Sequence, residues 1–117
     1  MSPEDKDVAY VWDMREAAVQ IEEFVKDKSL EDYSENKMIR LAIERSLEII
    51  GQAAKKVSDE FKRRYPDIPW PQINGLRNIL AHEYGEVKDE KVYLVAIKDI
   101  PPLISQLKQI LKDHNEL

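Results

Sequence analysis

Apolar residues recur at helical spacing along most of the chain. The first run consists of Val11, Met14, Ala18, Ile21 and Val25. Its intervals of three and four predict an amphipathic helix from about Asp5 to Lys26. The polar stretch 28–33 that follows predicts a connection rather than a further helix.

A second, longer run consists of Ile39, Ala42, Ile43, Ser46, Ile49, Ile50, Ala53, Val57 and Phe61. It predicts a helix from about Glu35 to Arg64, capped by Ser34 and about 45 Å long at 1.5 Å per residue. We expect a helix of this length in a small chain to be the central member of the fold or to extend into a partner.

Small residues interrupt the middle of this second helix at Ser46, Gly51, Ala53 and Ala54. Glycine inside a helix costs about 1 kcal/mol relative to alanine. Small side chains also let another helix backbone approach closely. We therefore expect the segment 75–84 to cross the second helix at Gly51.

Prolines and glycines divide the remainder of the chain. The proline-rich bend 64–71 leads into a predicted helix over 75–84, with Pro71 at its entry and Gly85 as its C-terminal stop. Asp89 is expected to cap a helix that runs to about Asp99. Pro101 and Pro102 then predict a break or kink before the last apolar run.

The last run consists of Leu103, Ile104, Leu107, Ile110 and Leu111. Strand-like alternation is absent along the chain. The pattern thus predicts an all-α fold, a bundle of four to five helices, up-and-down in the simplest case. With 117 residues, no internal repeat and no low-complexity segment, we expect residues 1–117 to form one domain.

Composition excludes several classes of function. There is no cysteine, so disulfides and thiolate metal sites are ruled out, and two histidines make a histidine-rich metal site unexpected. We therefore expect neither a metal nor a cofactor. No apolar run reaches a membrane span, and the acidic, polar N-terminus does not resemble a signal peptide, so we expect a cytoplasmic protein.

The net charge of −5 is unevenly distributed. Residues 1–32 carry a net charge of −6, whereas residues 37–64 carry +4. The basic side chains of this segment are Lys37, Arg40, Arg45, Lys55, Lys56, Lys62, Arg63 and Arg64. They form either ordinary solvated faces or a basic strip that guides a polyanion toward segment 75–84.

The predicted helix over 75–84 carries the most informative polar residues. Arg77, Asn78, His82 and Tyr84 all fall on its polar side if its apolar residues face the core. Histidine can move protons near neutral pH, and arginine can hold two phosphate oxygens and stabilise charge that develops on them. The set therefore suits chemistry on a phosphodiester. The alternative is a surface helix with a histidine near its C-terminus, a placement that the helix dipole favours.

The segment 77–84, with the pattern Arg-x4-His-x-Tyr, resembles the signature of HEPN domains and of the HepT-like toxins in particular. Segment 42–54 is similar to the second-helix segment of that family, and segment 68–75 is similar to the lead-in to the signature. The resemblance extends from about residue 8 to residue 112. It implies a helical bundle and a composite cleft at a two-fold interface, hence a homodimer or a larger homo-oligomer.

The resemblance also implies a function. HepT-like toxins cleave RNA without a metal, which places Arg77 and His82 in catalytic roles. Their partner is a nucleotidyltransferase antitoxin of the MNT or MntA type, which transfers AMP to the tyrosine at position 84. AMP on Tyr84 would occupy the anion site beside Arg77 and His82 and would switch the toxin off.

Other residues are open to two interpretations. Asn78 either orients His82 or a phosphate oxygen, or is a solvated amide. Arg45 and Glu48 form either a surface ion pair or part of the cleft or the dimer interface. Lys62, Arg63 and Arg64 are expected to solvate a helix end, with RNA contact as the alternative. Trp12 and Trp70 are expected to be packing residues.

A second class of function also fits the sequence. In that view the chain is a non-catalytic helical module that binds and assists a partner nucleotidyltransferase. Arg77, His82 and Tyr84 would then form a docking or nucleotide-binding patch. RNA cleavage in EDTA that disappears in a His82→Ala variant distinguishes the two classes.

Overall fold

Seven α-helices and no strand make up the computed structural model, which describes all 117 residues. They are α1 (Pro3–Val25), α2 (Leu30–Glu35), α3 (Lys37–Lys56), α4 (Asp59–Arg64), α5 (Trp70–His82), α6 (Gly85–Leu94) and α7 (Ile100–Asp113). A π-helical turn, Val95–Asp99, joins α6 to α7. The all-α prediction is confirmed.

The longest helix, α1, lies between α3 and α7, and α5 packs on the other side of α3. The buried side chains of α1 repeat at the predicted spacing and meet those of α3 and α7 in one apolar core. Both α1 and α3 therefore have neighbouring helices on two sides, and they share the central position that was predicted for the second helix. None of the helices combines the length and the apolar character needed to cross a membrane.

A capping box begins each of the first two helices. The Asp5 N–H donates to Ser2 Oγ at 3.1 Å and the Ser2 N–H donates back to the Asp5 carboxylate at 3.2 Å. Ser29 and Asp32 repeat this capping box at the start of α2. The hydrogen bonds from the two serines lower the pKa of Asp5 and of Asp32, because they favour the charged carboxylate.

The polar connection predicted over 28–33 is wrong in its second half, since α2 begins at Leu30. Tyr33, on α2, is completely buried against Tyr93 of α6, with ring centroids 5.9 Å apart. Burial raises the pKa of Tyr33, and the carboxylates of Glu44 and Asp89 add to the effect. Tyr33 therefore links α2 to α6 through an aromatic contact that the polar character of this stretch did not indicate.

The predicted helix from Glu35 to Arg64 is also wrong in its bounds. Asn36, not Ser34, caps it, because the Asn36 side chain accepts the Ile39 N–H at 3.0 Å. At its other end α3 stops at Lys56, and Ser58 adopts an extended backbone and caps α4 by accepting the Phe61 N–H at 3.2 Å. The apolar periodicity continues across this break because Val57 and Phe61 are both buried.

In the C-terminal half, Gly85 and Asp89 have positions in the helices that differ from those predicted. Helix α5 starts at Trp70 and ends at His82, and Gly85, with φ of +58°, begins α6 instead of stopping α5. Asp89 lies inside α6 and is not a cap. Before Pro101 the chain forms the π-helical turn, in which the Ile100 N–H donates to the Val95 carbonyl. The predicted interruption therefore takes the form of a change in hydrogen-bond register within a continuous helical segment.

Candidate active site

Helix α5 presents the candidate catalytic residues. Trp70 and Pro71 open it, and the Ile73 N–H donates to the Pro69 carbonyl at 3.0 Å. Ile73 and Leu76 are buried and hold the helix against α3. The apolar contacts thus fix one side of α5 and leave its other side free for polar residues.

Arg77, Asn78 and His82 all lie on the exposed side of α5. Arg77 and His82 are about 140° apart around the helix axis, with Ala81 and Asn78 in the sector between them. Neither Arg77 nor His82 takes part in an ion pair within the chain. Both side chains are therefore free of competing carboxylates within the chain.

Tyr84 lies in the short connection between α5 and α6, two residues beyond His82. Its backbone is extended, with φ of −137° and ψ of 154°, and 78% of the residue is exposed. Tyr84 is therefore not a packing residue of the core. The connection is fixed on both sides of Tyr84, because Glu83 pairs with Lys91 at 2.6 Å and Lys88 of α6 pairs with Glu44 of α3 at 2.6 Å.

A groove between α3 and α5 begins at Arg77. We call it the α3–α5 groove; its volume is about 780 Å³ and its lining residues are Glu48, Gly51, Gln52, Lys55, Lys56, Arg77, Leu80 and Ala81. The basic segment predicted from the charge distribution thus places two lysines on the same groove as Arg77. Lys37 and Arg40, at the start of α3, do not line it.

Arg45 and Glu48 form the ion pair that the sequence suggested, with Arg45 Nη1 and Glu48 Oε1 3.1 Å apart. Both side chains are exposed, so the pair contributes little stability by itself. Glu48 lines the groove that holds Arg77, whereas Arg45 does not. Gln52, which donates to Glu48 at 3.3 Å, also lines the groove. Gln52 was not predicted from the sequence, although its spacing of four residues from Glu48 indicated a shared helix face.

The two tryptophans, which were predicted to be packing residues, do not line the α3–α5 groove. Trp70 is half-buried, and its Nε1 donates to the Tyr65 carbonyl at 3.0 Å. Trp12 is partly exposed on α1, with the Arg15 guanidinium 5.6 Å from its ring centroid. No group of three or more histidine, cysteine, aspartate or glutamate side chains is placed to hold a metal ion.

A helical bundle that presents Arg-x4-His-x-Tyr at the end of a helix defines a HEPN-type domain. The family model described as "Ribonuclease HepT-like" matches residues 14–110. The chain therefore belongs to the HepT-like ribonuclease family, as the sequence resemblance indicated.

Similar proteins carry consistent names. The chain is 35% identical over 100 residues to "Putative RNase MJ1380" of Methanocaldococcus jannaschii, covering 86% of this chain and 92% of that protein. It is 36% identical over 103 residues to "Probable ribonuclease HepT" of Thermococcus cleftensis, covering 88% and 94%. No solved structure matches the chain significantly.

Proposed function

We propose that this chain is a metal-independent endoribonuclease in which Arg77 and His82 cleave RNA, and that it is the toxin of a toxin–antitoxin pair. The ribonuclease class follows from membership of the HepT-like family and from the names of its relatives. The observation that carries the residue assignment is the placement of Arg77 and His82, both exposed and free of ion pairs, on either side of one open sector of α5.

The proposed reaction is attack by a ribose 2′-hydroxyl on the adjacent phosphorus. The proton leaves the 2′-oxygen, the bond from phosphorus to the 5′-oxygen breaks, and the 5′-oxygen takes up a proton. His82 is the group that carries protons, and Arg77 holds the non-bridging oxygens and stabilises their developing charge. The products are a 2′,3′-cyclic phosphate and a 5′-hydroxyl.

One histidine on one helix serves two proton transfers more readily if a second copy contributes its own. An exposed stripe on α3 supports such a dimer. Met38 is 83% exposed and Leu41 is 56% exposed, and they continue at helical spacing into Arg45 and Glu48. Apolar side chains this exposed are suited to burial in an interface. Because the stripe ends at the α3–α5 groove, a second copy docked on it would lie beside Arg77.

We further propose that a nucleotidyltransferase antitoxin silences the toxin by transferring AMP to Tyr84. Tyr84 is the one exposed tyrosine among the five of the chain. The Tyr65 hydroxyl is bonded to His114 Nε2 at 2.9 Å, the Tyr93 hydroxyl donates to the Lys28 carbonyl, and the Tyr33 hydroxyl is buried. An AMP group on Tyr84 would place a negative charge and a nucleoside close to His82 and would compete with RNA.

The experiment is RNA cleavage in EDTA by the parent chain, Arg77→Ala, His82→Ala and a control, His114→Ala. His114 is the other histidine of the chain; it directly follows α7, where its Nε2 is bonded to the Tyr65 hydroxyl, and it does not line the α3–α5 groove. We expect the parent and His114→Ala to cleave RNA to cyclic phosphate ends and the two α5 variants to be inactive while folded. No cleavage by the parent, freed of any AMP, would refute the proposal and favour the non-catalytic module.

A further inference from the structure

The α3–α5 groove does not end at the residues around Arg77. A second cavity of about 280 Å³ is lined by Gly51, Ala54, Lys55, Lys62, Trp70, Pro71 and Asn74. The two cavities share Gly51 and Lys55. They therefore adjoin at these two residues, and together we call them the extended groove, which extends from Arg77 to Trp70 at the start of α5 and Lys62 on α4.

Helical spacing aligns the residues of α5 that line the extended groove. On α5 the lining residues Trp70, Asn74, Arg77 and Ala81 are separated by four, three and four residues, so they form one stripe along the helix. Trp70 and Arg77 are about 10 Å apart along the axis. A strand lying along this stripe therefore places more than one phosphate against it.

Gly51 forms the floor where the two cavities meet. A Cβ atom at Gly51 would find only the Ile73 carbonyl oxygen nearby, at 4.0 Å. The glycine thus leaves the floor bare between α3 and α5.

The charge of the extended groove is opposite to that of the whole chain. Its charged lining residues are Lys55, Lys56, Lys62, Arg77 and Glu48. None of the three lysines forms an ion pair with a carboxylate. The chain carries a net charge of −5, and the cavity at its N-terminus is lined by Glu4, Asp5, Asp13 and Glu116. A polyanion is therefore attracted to the groove and repelled from the acidic cavity.

The far end of the groove holds a positioned cation. Lys62 Nζ lies 5.6 Å from the centroid of the Trp70 ring, and the ring is itself fixed by its bond to the Tyr65 carbonyl. A cation–π contact restrains the ammonium at the groove wall. Lys55 lies midway, in both cavities, so Arg77, Lys55 and Lys62 mark successive positions along one path.

We propose that the extended groove is the binding path for a single strand of RNA, in which Lys55 and Lys62 bind phosphates that neighbour the one held by Arg77. The inference rests on the proposed ribonuclease function and extends it to the part of the substrate that is not cleaved. Lys55 and Lys62 are then positioning residues that set affinity for long RNA without entering the chemical step.

The first test measures binding separately from cleavage. In the cleavage-deficient His82→Ala background, Lys55→Ala, Lys62→Ala and the double variant are titrated with a fluorescent single-stranded RNA of about 12 nucleotides. Each lysine is expected to account for about fivefold in affinity. A plot of log K against log salt concentration should be less steep by about 1.4 in the double variant, because each lost phosphate contact on a single strand removes about 0.7 from the slope.

The second test uses kinetics in the active chain. On the long RNA, the double variant is expected to raise KM by about tenfold or more with kcat unchanged. On a dinucleotide, which occupies only the positions at Arg77 and His82, its activity should equal the parent's. Lys55→Arg and Lys62→Arg should restore most of the affinity, because the cation is what the path requires.

Lys108→Ala is the matched control, since Lys108 is an exposed lysine on α7 outside the groove. If the double variant matches this control in affinity, salt slope and KM while the parent cleaves RNA, the path is wrong and the proposed function stands. If the parent does not cleave RNA, the proposed function fails, and the binding titrations alone then decide whether RNA binds along the extended groove. Unchanged RNA affinity with weaker binding of polyglutamate would assign the groove to an acidic protein and would also overturn the proposal.

Discussion

The carboxylate of Asp7 accepts two hydrogen bonds from Ser58, one from its backbone N–H at 2.8 Å and one from its hydroxyl at 2.7 Å. Asp7 lies on α1 and is 5% exposed, whereas Ser58 caps α4. The contact joins residues 51 positions apart. It fixes the break between α3 and α4 onto α1, and with it the end of α3 that carries Lys55 and Lys56.

Asp7→Ala is expected to lower the free energy of unfolding by about 2–3 kcal/mol, because two hydrogen bonds to a charged group are lost in a largely buried site. Urea denaturation followed by circular dichroism measures the loss. Asp13→Ala, an exposed aspartate on the same helix, should change stability by no more than about 0.5 kcal/mol. Equal stabilities for the two variants would show that the contact does not anchor the break.

This contact also explains why the sequence predicted one helix where the structure has two. The apolar residues from Ile39 to Phe61 keep helical spacing across Ser58, and periodicity detects only that spacing. The break depends on Asp7, which no local pattern connects to Ser58. A local signal was nevertheless present, since Ser58 is followed by Asp59 and Glu60, a typical helix start.

The candidate site, like the fold, was predicted only in part from the sequence. The order and spacing of Arg77, His82 and Tyr84 are properties of the sequence, and the helix that displays the first two was predicted from flanking prolines and apolar residues. The exposure of Tyr84 was not predictable, because it depends on the left-handed backbone of Gly85 and on where α6 starts. The path through Lys55 and Lys62 requires the packing of α5 on α3, which spacing alone does not define.

Gly51 provides a prediction about that packing. Gly51→Ala should be tolerated or stabilise the fold by up to about 1 kcal/mol, since the added Cβ meets the Ile73 oxygen at an ordinary 4.0 Å and alanine favours helix. Gly51→Leu should instead destabilise it by about 1–3 kcal/mol, because a longer side chain forces α5 away from α3. Thermal unfolding compares the pair. A Leu variant as stable as the parent would mean that α5 does not need the close approach.

Leu41 tests whether the exposed stripe of α3 forms a dimer. Leu41→Glu places a charge on this stripe and is expected to produce a monomer with little RNA cleavage, because the second histidine is lost from the cleft. Sedimentation velocity at micromolar concentration and the cleavage assay report the two effects. Leu117→Glu, at an exposed C-terminal leucine, is the control and should behave as the parent does. A parent that is monomeric and still active would contradict the composite cleft.

A Tyr84 variant distinguishes RNA cleavage from its proposed silencing by AMP. Tyr84→Phe retains the ring and removes the one oxygen that could accept AMP at this position. Because the side chain is exposed and packs against nothing in the core, the substitution should change stability by no more than about 0.5 kcal/mol. Intact mass after incubation with the antitoxin and ATP should show added AMP on the parent and on Tyr10→Phe, the matched tyrosine control, but none on Tyr84→Phe.

The same variant predicts a difference in cells. If Arg77 and His82 perform cleavage and Tyr84 only receives AMP, Tyr84→Phe should cleave RNA and stay toxic when the antitoxin is co-expressed, whereas the parent is neutralised. Full neutralisation of Tyr84→Phe would place silencing in non-covalent binding or at another acceptor. Loss of cleavage in a folded Tyr84→Phe would give the phenol a direct part in the reaction, which its position two residues from His82 allows. A parent and variant that are both harmless without the antitoxin would instead favour the non-catalytic module, because that class predicts no toxicity from either form.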